Sequence, residues 1–397
     1  MRPVRPTSSI VLLLLAGCAA GDAAEPTLVR DSAGIAIVEN SAEAVENAAL
    51  WSLGEAELAI GVVEGEPAYQ FHRVAGGALM PDGRIVVLNS GTQELRFFDA
   101  SGRWLASGGG DGEGPGEFRA PVGLVPLAAD SLLVWDGRLQ RLSVFDGHGA
   151  FARTFRIEQA VVNPDFLGAF DDGSVAILDF RLDVPAQGFA ISSSTIVRYA
   201  ADGTFTDSLG TFPWMEIGMI GSRERGMVGG RIFAPRSAAA VGRDRFWIGI
   251  AAEPSIEQYD RDGVLTRIVR WEAGDRTIGP DDRRRYIDER FTDPTSPMRA
   301  AYEELDMHDR FPAHAELGAD RDGNLWVKPY RRPAQEGPDT WLVFDPDGAL
   351  LARVELPEEL RVLEVGGDRL LAVRPDELEV ERVVVYELRK PSDEERP

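Results

Sequence analysis

The chain has 397 residues, of which 44% are hydrophobic, and this is enough to build a large buried core. Its 42 basic and 65 acidic residues give a formal net charge of −23, which argues against nucleic-acid binding and against attraction to anionic lipids. A single cysteine, Cys18, excludes a disulfide framework and leaves no other thiol for catalysis.

The N-terminus has the pattern of an export signal. Two arginines precede the apolar run Ile10–Leu15, which is far shorter than the roughly 20 residues of a membrane-spanning helix. The sequence LAGC that ends at Cys18 resembles the lipobox of bacterial lipoproteins, and this resemblance implies cleavage after residue 17 and lipid on Cys18. An ordinary secretory signal is the alternative. We expect a signal peptide over 1–17, a tether over 18–33 and a lipid anchor in the cell envelope. Because Ala19, and not aspartate, follows the cysteine, we expect the outer membrane.

A strand–turn–strand unit recurs along the rest of the chain. An aromatic residue followed by Asp-x-x-Gly ends a β-type run at Phe98, Phe145, Tyr259 and Phe344, and a second Asp/Gly turn lies upstream of each copy. Each unit therefore contains four strands. Counting the upstream turns gives six units, at roughly 73–107, 119–156, 164–210, 236–271, 313–355 and 359–388. Repeats of this length and content are typical of propellers and solenoids.

The last unit lacks its fourth strand, and an isolated β-type segment, GIAIVEN at 34–40, lies near the N-terminus. Pairing of this segment with residues 380–388 would close a ring and leave no long free sheet edge. We therefore predict an all-β fold, a six-bladed β-propeller over 34–390 whose last blade is closed by the N-terminal strand, with a polar tail at 391–397. Two packed β-domains are the alternative.

The segment 108–155, which begins GGGDGEGPGEF, resembles an NHL repeat, and the chain as a whole is loosely similar to six-bladed propeller proteins of bacterial envelopes. This resemblance implies a fold and no particular activity, because that family is functionally diverse. The acidic run DGEGPGE within the segment lacks the spacing of an EF-hand, so we predict a tight loop between blades in preference to a calcium site.

The long connections are predicted to lie on one face of the ring. Strand parity places 180–194, 210–235, 271–312 and 329–339 on the face opposite the tight turns, and 271–312, between blades four and five, is predicted to form two short helices. Connections of this length are usually functional or disordered. We predict a monomeric, non-catalytic binding or scaffold module that presents this face to an envelope protein or glycan.

Polar side chains are predicted to surround the mouth of the axial channel on the same face. Alignment of the repeats places there His72, Arg119, Asn163, Asp165, Arg236 and His314, with Glu359 at the same level. Convergent polar groups at a concave surface indicate a binding site. The alternative is a water-filled mouth whose polar groups satisfy the ends of the backbone strands.

Glu316 and Glu364 lie deeper in strands that are otherwise small and apolar. Carboxylate oxygens suit Ca²⁺, and six-bladed lactonases place such residues about their axis. The alternative function is therefore a calcium-dependent hydrolase or lyase, with Asn163 and Asp165 completing the metal site and His72 or His314 acting as general base. Because the sequence contains no recognised catalytic motif, we assign no catalytic residue, and we expect no cofactor other than calcium.

Overall fold

The computed structural model describes residues 26–127, 130–158, 161–221 and 226–391. Strands dominate these residues, and the three α-helices among them are short, which confirms the all-β expectation. The N-terminal segment contains β1 (Thr27–Ser32), β2 (Ile35–Asn40), α1 (Ala42–Glu46) and β3 (Ala49–Ile60). The predicted signal peptide and Cys18 lie outside the described residues.

The remaining strands form antiparallel groups that follow one another along the chain. The first group contains β4 (Val74–Leu79), β5 (Ile85–Asn89), β6 (Glu94–Phe98) and β7 (Trp104–Gly109). The second contains β8 (Pro121–Leu127), β9 (Ser131–Asp136), β10 (Arg141–Asp146) and β11 (Phe151–Arg156). The third contains β12 (Pro164–Ala169), β13 (Val175–Asp179), β14 (Phe189–Tyr199), β15 (Phe205–Ile220) and the short edge strand β16 (Met227–Gly229).

The second half of the chain continues this pattern. The fourth group contains β17 (Ser237–Val241), β18 (Arg245–Ile250), β19 (Ser255–Asp260) and β20 (Leu265–Trp271). Two helices follow, α2 (Pro280–Arg290) and α3 (Pro297–Glu304). The fifth group contains β21 (His314–Ala319), β22 (Leu325–Pro329), β23 (Asp339–Phe344) and β24 (Leu350–Leu356). The last contains β25 (Arg361–Gly366), β26 (Arg369–Pro375) and β27 (Glu381–Arg389), to which β3 adds the outer strand.

The groups close into a ring. A buried apolar cluster lies between each two consecutive groups. The last group packs on the first in the same way, through Leu371 and Val385 against Val87 and Phe98. The first strand of every group borders one central cavity. These sheets arranged about an axis make the fold a β-propeller.

Small residues in the first strands allow this convergence. A Cβ atom at Gly76 would lie only 2.9 Å from the Cβ of Leu124 in the neighbouring group, and one at Gly123 would overlap the ring of Phe166. Side chains at these positions would push adjacent sheets apart, so the glycines of the first strands are a requirement of the axis.

The aspartates of the repeated turns act as the sequence predicts. In the turn after β10, one carboxylate oxygen of Asp146 accepts hydrogen bonds from the backbone N–H groups of His148 and Ala150, both at 2.9 Å. Asp260 and Asp345 accept the same pair of bonds in their own turns. Each aspartate therefore fixes a tight turn between the third and fourth strands of its group.

The predicted pairing of residues 34–40 with 380–388 is wrong. The strand β2 runs parallel to β20 on the outer edge of the fourth group, where Val38 pairs with Val269. The strand that completes the last group is β3, in which Ile60 pairs with Val383. β3 lies between β24 and β27, so its 12 residues complete the last group and also join it to the fifth, whereas β2 has only 6 residues.

The predicted tether also ends earlier than expected, because residues 27–32 form β1, which pairs with β2. From there the N-terminal segment runs across the fourth, fifth and last groups. Asn40 joins the first two of these: its side-chain oxygen accepts from the N–H of Leu350 at 2.8 Å, and its side-chain nitrogen donates to the carbonyl of Arg270 at 3.0 Å. No helix in the described ranges has the length and apolar character needed to cross a bilayer.

Candidate functional site

The first strands enclose an axial cavity of about 350 Å³. Its walls are mostly small and apolar, as the glycine- and alanine-rich strands require. Both glutamates that the sequence placed along the axis, Glu316 and Glu364, do line it. The cavity therefore carries two carboxylates in otherwise apolar surroundings.

Glu364 is held by a neighbouring arginine. Its carboxylate accepts from Arg321 Nε at 2.7 Å and from the backbone N–H of Leu79 at 2.6 Å. Burial raises the pKa of Glu364, and the nearby Arg321 opposes this shift without cancelling it. The pair also borders a second recess, of about 550 Å³, on the side of the short turns between first and second strands.

Glu316 is bound by Lys328, whose ammonium nitrogen lies 3.3 Å from its carboxylate and 2.9 Å from that of Asp339. Burial alone would lower the pKa of Lys328, but these two carboxylates outweigh burial and raise it. Within the described parts of the chain, no three His, Cys, Asp or Glu side chains are grouped to hold a metal. Each axial glutamate therefore has a basic partner on one of its carboxylate oxygens, Lys328 for Glu316 and Arg321 for Glu364.

At the mouth of the channel, Asp165 and Arg236 interact electrostatically although both side chains reach solvent. Asp165 sits in a recess between adjacent first strands, where burial raises its pKa and Arg236 acts in the opposite direction. Asn163 is exposed and donates to the carbonyl of Phe180 at 3.2 Å. The structure therefore brings these three residues to the ends of adjacent groups, and their role as binding residues stays a prediction.

Arg119 and His72 are exposed at the same face, but neither borders the axial cavity. Arg119 pairs with Asp111 at 2.9 Å and with Glu113 at 3.5 Å, so the acidic loop before β8 neutralises it. The ring of His72 lies so close to Gly91 that a Cβ atom there would contact it at 2.5 Å. Their predicted binding role is untested.

The prediction that His314 faces the channel mouth is wrong. Its side chain is buried, and it packs 6.5 Å from the ring of Trp271. Burial, with the charge of Arg276, lowers the pKa of His314 to about 4, so the imidazole is neutral at physiological pH. A β-bulge between His314 and Glu316 shifts the register and changes which side of β21 each residue occupies. Alignment of the repeats could not detect this bulge. Glu359 also turns away, into a recess beside β3 and β27.

The two longest connections come together above the ring. We call "the cap" the outer ends of β14 and β15, the strand β16 and residues 226–236, together with α2, α3 and the residues that flank them. The cap has an apolar cluster of its own, formed by Ile220, Ile232, Phe233, Ile278, Ile287, Tyr302 and Phe311. The described residues of the two connections, 210–221 with 226–235 and 271–312, are therefore one packed unit, although the sequence presents them separately.

The buried carboxylate of Glu216 contacts both insertions of the cap. Glu216, 6% exposed, accepts from Arg231 Nη2 at 2.6 Å, and His308 Nε2 lies 3.2 Å from the same carboxylate oxygen. Burial would raise the pKa of Glu216, but hydrogen bonds from Arg231 outweigh it and lower the pKa. Through Arg231, Glu216 links β15 to the segment before β17. Through His308, it links β15 to the segment after α3.

The cap also exposes a group of apolar side chains. Met219 and Val228 pair across β15 and β16 and are 39% and 44% exposed, while Ile191 on β14 is 67% exposed. Met227 is next to Val228 in β16, and its sulfur lies 3.9 Å from the hydroxyl of Tyr302. Met219 and Val228 point to one face of this sheet, whereas Ile191 and Met227 point to the other. We call Met219 and Val228 the apolar surface of the cap.

Sequence reasoning missed Glu216, Arg231 and Lys328. For Lys328 a signal existed, because it is one of only two lysines in the chain. Glu216 and Arg231 carried no such signal, since they lie 15 residues apart within a segment that reads as a loop. Their pairing depends on the extension of β15 beyond the ring.

No family model matches the sequence, and no curated protein sequence matches it. Solved structures resemble the fold at low identity. A putative exported protein from Bacteroides fragilis is 10% identical with a TM-score of 0.46, over 90% of this chain and 100% of that one. The calcium-binding protein regucalcin from Agrobacterium tumefaciens is 13% identical with a TM-score of 0.41, over 87% and 97%. Virginiamycin B lyase from Staphylococcus aureus is 10% identical with a TM-score of 0.42, over 84% and 99%. Similarities this low carry no functional argument.

Proposed function

We propose that this protein is a binding module that captures a partner protein through the apolar surface of the cap. The observation that carries the proposal is that two separate insertions pack into one unit and still leave Met219 and Val228 exposed side by side. Apolar side chains gathered in one exposed patch are typical of interaction sites. Methionine suits such a surface because its flexible side chain adapts to the partner.

The ring serves this function as a rigid support. We propose that its six groups of strands are the blades of a six-bladed propeller, with the helical insertion between blades four and five. The buried pair of Glu216 and Arg231 then orients the cap relative to the third blade of the propeller, to which β15 belongs.

The location of the partner follows from the N-terminal sequence. We propose that Cys18 carries a lipid anchor, that the protein is held at the outer membrane of the cell envelope as a monomer, and that the partner is an envelope protein. A glycan suits the apolar surface of the cap less well, because Met219 and Val228 offer apolar contacts and no side-chain hydrogen-bonding groups.

Site-specific crosslinking tests this proposal. A photoreactive amino acid replaces Met219, and in a control protein it replaces Val264, which is 60% exposed beside the turn between β19 and β20. In native membranes we expect one defined protein adduct from the Met219 position and none from the Val264 position. Val228→Ser should weaken the adduct formed from the photoreactive residue at position 219, because Val228 pairs with that position across β15 and β16. The same adducts from both positions, or none from the cap, would refute the proposal.

A calcium-dependent hydrolase is the second candidate, and the only observation in its favour is that Glu316 and Glu364 line the axial cavity. Their contacts with Lys328 and Arg321 count against it, because each positive charge repels a cation and holds one oxygen of its carboxylate. The burial of His314 also removes one of the two candidates for the general base, which leaves His72.

A further inference from the structure

A cavity of about 430 Å³, separate from the axial cavity, lies between the fourth and fifth groups, beneath α1. Its volume falls within the range of small-molecule sites. Its aromatic lining comes from Trp271, Phe311 and Tyr330. The side chains of Trp271 and Phe311 are 4% and 2% exposed, so this wall is apolar and fixed. We call this cavity the arginine pocket because three arginines line it as well.

Arg353, on β24, is the unusual member of this lining. Its Nε is buried without a hydrogen-bond partner, and the described residues offer its guanidinium neither a hydrogen bond nor an ion pair. Arg141 is also buried with an unpartnered Nε, but its two Nη atoms donate to the backbone carbonyls of Glu113 and Glu117. Other partly buried arginines have carboxylate partners. Arg84 and Arg198, for example, each pair with two carboxylates.

A second positive charge lies in the same pocket. The side chain of Arg276 is 10% exposed, and its nearest carboxylate, that of Glu253, is 3.8 Å away. Arg276 donates hydrogen bonds to two backbone carbonyls, those of Ala252 and Phe311. Burial lowers the pKa of Arg276, which shows that the protein surrounds this charge without compensating it fully.

Two weakly neutralised cations in one cavity are unexpected in a protein with a net charge of −23. An uncompensated, partly buried charge is costly, and the chain has acidic residues in excess with which to compensate it. Glu46 and Glu272 border the pocket, but both are exposed and neither makes an ion pair within the described ranges. The missing partner is therefore best supplied from outside the chain.

We propose that the arginine pocket binds a small organic monocarboxylate with an aromatic or apolar body. The carboxylate pairs with the guanidinium of Arg353, which presents donors in the planar geometry that carboxylates match. The body of the ligand lies against Trp271, Phe311 and Tyr330. A dianionic phosphate fits less well, because the rim carboxylates of Glu46 and Glu272 repel a second negative charge. This site is separate from the apolar surface of the cap, so either proposal can fail alone.

Isothermal titration calorimetry of the purified protein with phenylacetate tests the proposal. Inorganic phosphate and 2-phenylethanol serve as probes that carry only the charge or only the ring. We expect saturable binding of phenylacetate and much weaker binding of the other two. Phosphate that binds as tightly as phenylacetate, or phenylacetate that does not bind, would overturn the assignment.

Substitution of Arg353 locates the binding. Arg353→Gln should weaken phenylacetate binding roughly 10-fold or more, since it removes hydrogen bonds from a charged donor. Arg353→Lys should weaken binding less, because it keeps the charge and loses the planar donor pair. The matched control is Arg153→Gln on β11. Arg153 is exposed, and its side chain makes no hydrogen bond or ion pair within the described ranges, so this change should leave binding unchanged. Equal affinity in the wild type and Arg353→Gln would show that the pocket is not the site.

Two further measurements separate binding from folding. The melting temperature of Arg353→Gln without ligand should equal or exceed that of the wild type, because no intramolecular partner is lost. Ala273→Leu narrows the same pocket and leaves Arg353 in place, so it should abolish phenylacetate binding on its own. Retained binding in a folded Ala273→Leu protein would contradict the proposal.

Discussion

Phe233 packs in the apolar cluster of the cap although its backbone conformation is unfavourable. Its φ angle is 58°, in the left-handed region that favours glycine, where a bulky residue is an outlier. Its side chain is nevertheless 5% exposed and packs edge-to-face on Phe311 at 4.8 Å and on Tyr286 at 5.2 Å. We infer that packing of the ring maintains a conformation that the backbone itself disfavours.

The two smallest substitutions at this position should therefore rank in an unusual order. Phe233→Ala loses the ring contacts, which for a buried phenylalanine costs about 3–5 kcal/mol, and it keeps the strained φ. Phe233→Gly loses the same contacts but relieves about 1–2 kcal/mol of left-handed strain, against roughly 0.5–1 kcal/mol of added chain entropy. The glycine variant should thus be more stable than the alanine variant, by up to about 1.5 kcal/mol.

Hydrogen exchange read by mass spectrometry on peptides from 211–221 and 226–240 reports the opening of the cap, and urea unfolding reports the whole protein. Phe212, on β15 with an ordinary φ and 9% exposure, supplies the control pair. There alanine should be more stable than glycine. The reasoning fails if alanine is also the more stable residue at 233, or if both variants at 233 protect the cap as well as phenylalanine does.

Two further expectations concern the ion pair of the cap and the closure of the ring. Because hydrogen bonds from Arg231 hold the pKa of Glu216 below its usual 4.5, the pair contributes stability above that pH and loses it as the pH falls through the lowered value. The melting temperature of Glu216→Gln should therefore lie below that of the wild type at pH 7 and approach it below about pH 4. A constant difference at every pH would contradict this assignment. Trp51→Ala on β3 should destabilise the protein by about 3–5 kcal/mol, because the indole is 5% exposed and packs 6.2 Å from Trp326. In urea unfolding, Leu28→Ala on β1 should change stability by less than about 0.5 kcal/mol, and equal losses would show that β3 does not close the ring.

Local sequence was sufficient for the repeated features. The turn after Phe145 depends on an aspartate whose side chain bonds to backbone groups two and four residues later, and such bonds need only the residues of the turn itself. The same holds for the glycines of the first strands, such as Gly76 and Gly123, because a narrow axis tolerates small residues alone. The all-β class and the repeat were therefore predictable from short windows of sequence.

The functional candidates depended on contacts between distant residues. The residue that closes the ring with Val383 is Ile60, and the more apolar segment that ends at Asn40 instead joins the fourth and fifth groups. A one-residue register shift in β21 moved His314 from the channel mouth into the core.

What the sequence determined by itself is the set of local units: turns, strands and the small residues of the axis. The tertiary structure alone decided which outer strand completes each group and how two insertions pack into the cap. It also decided that Arg353 lines the same cavity as Trp271, with no carboxylate partner among the described residues. The physical reason is that strand pairing and burial are set by the free energy of the whole assembly, which no short window of sequence contains.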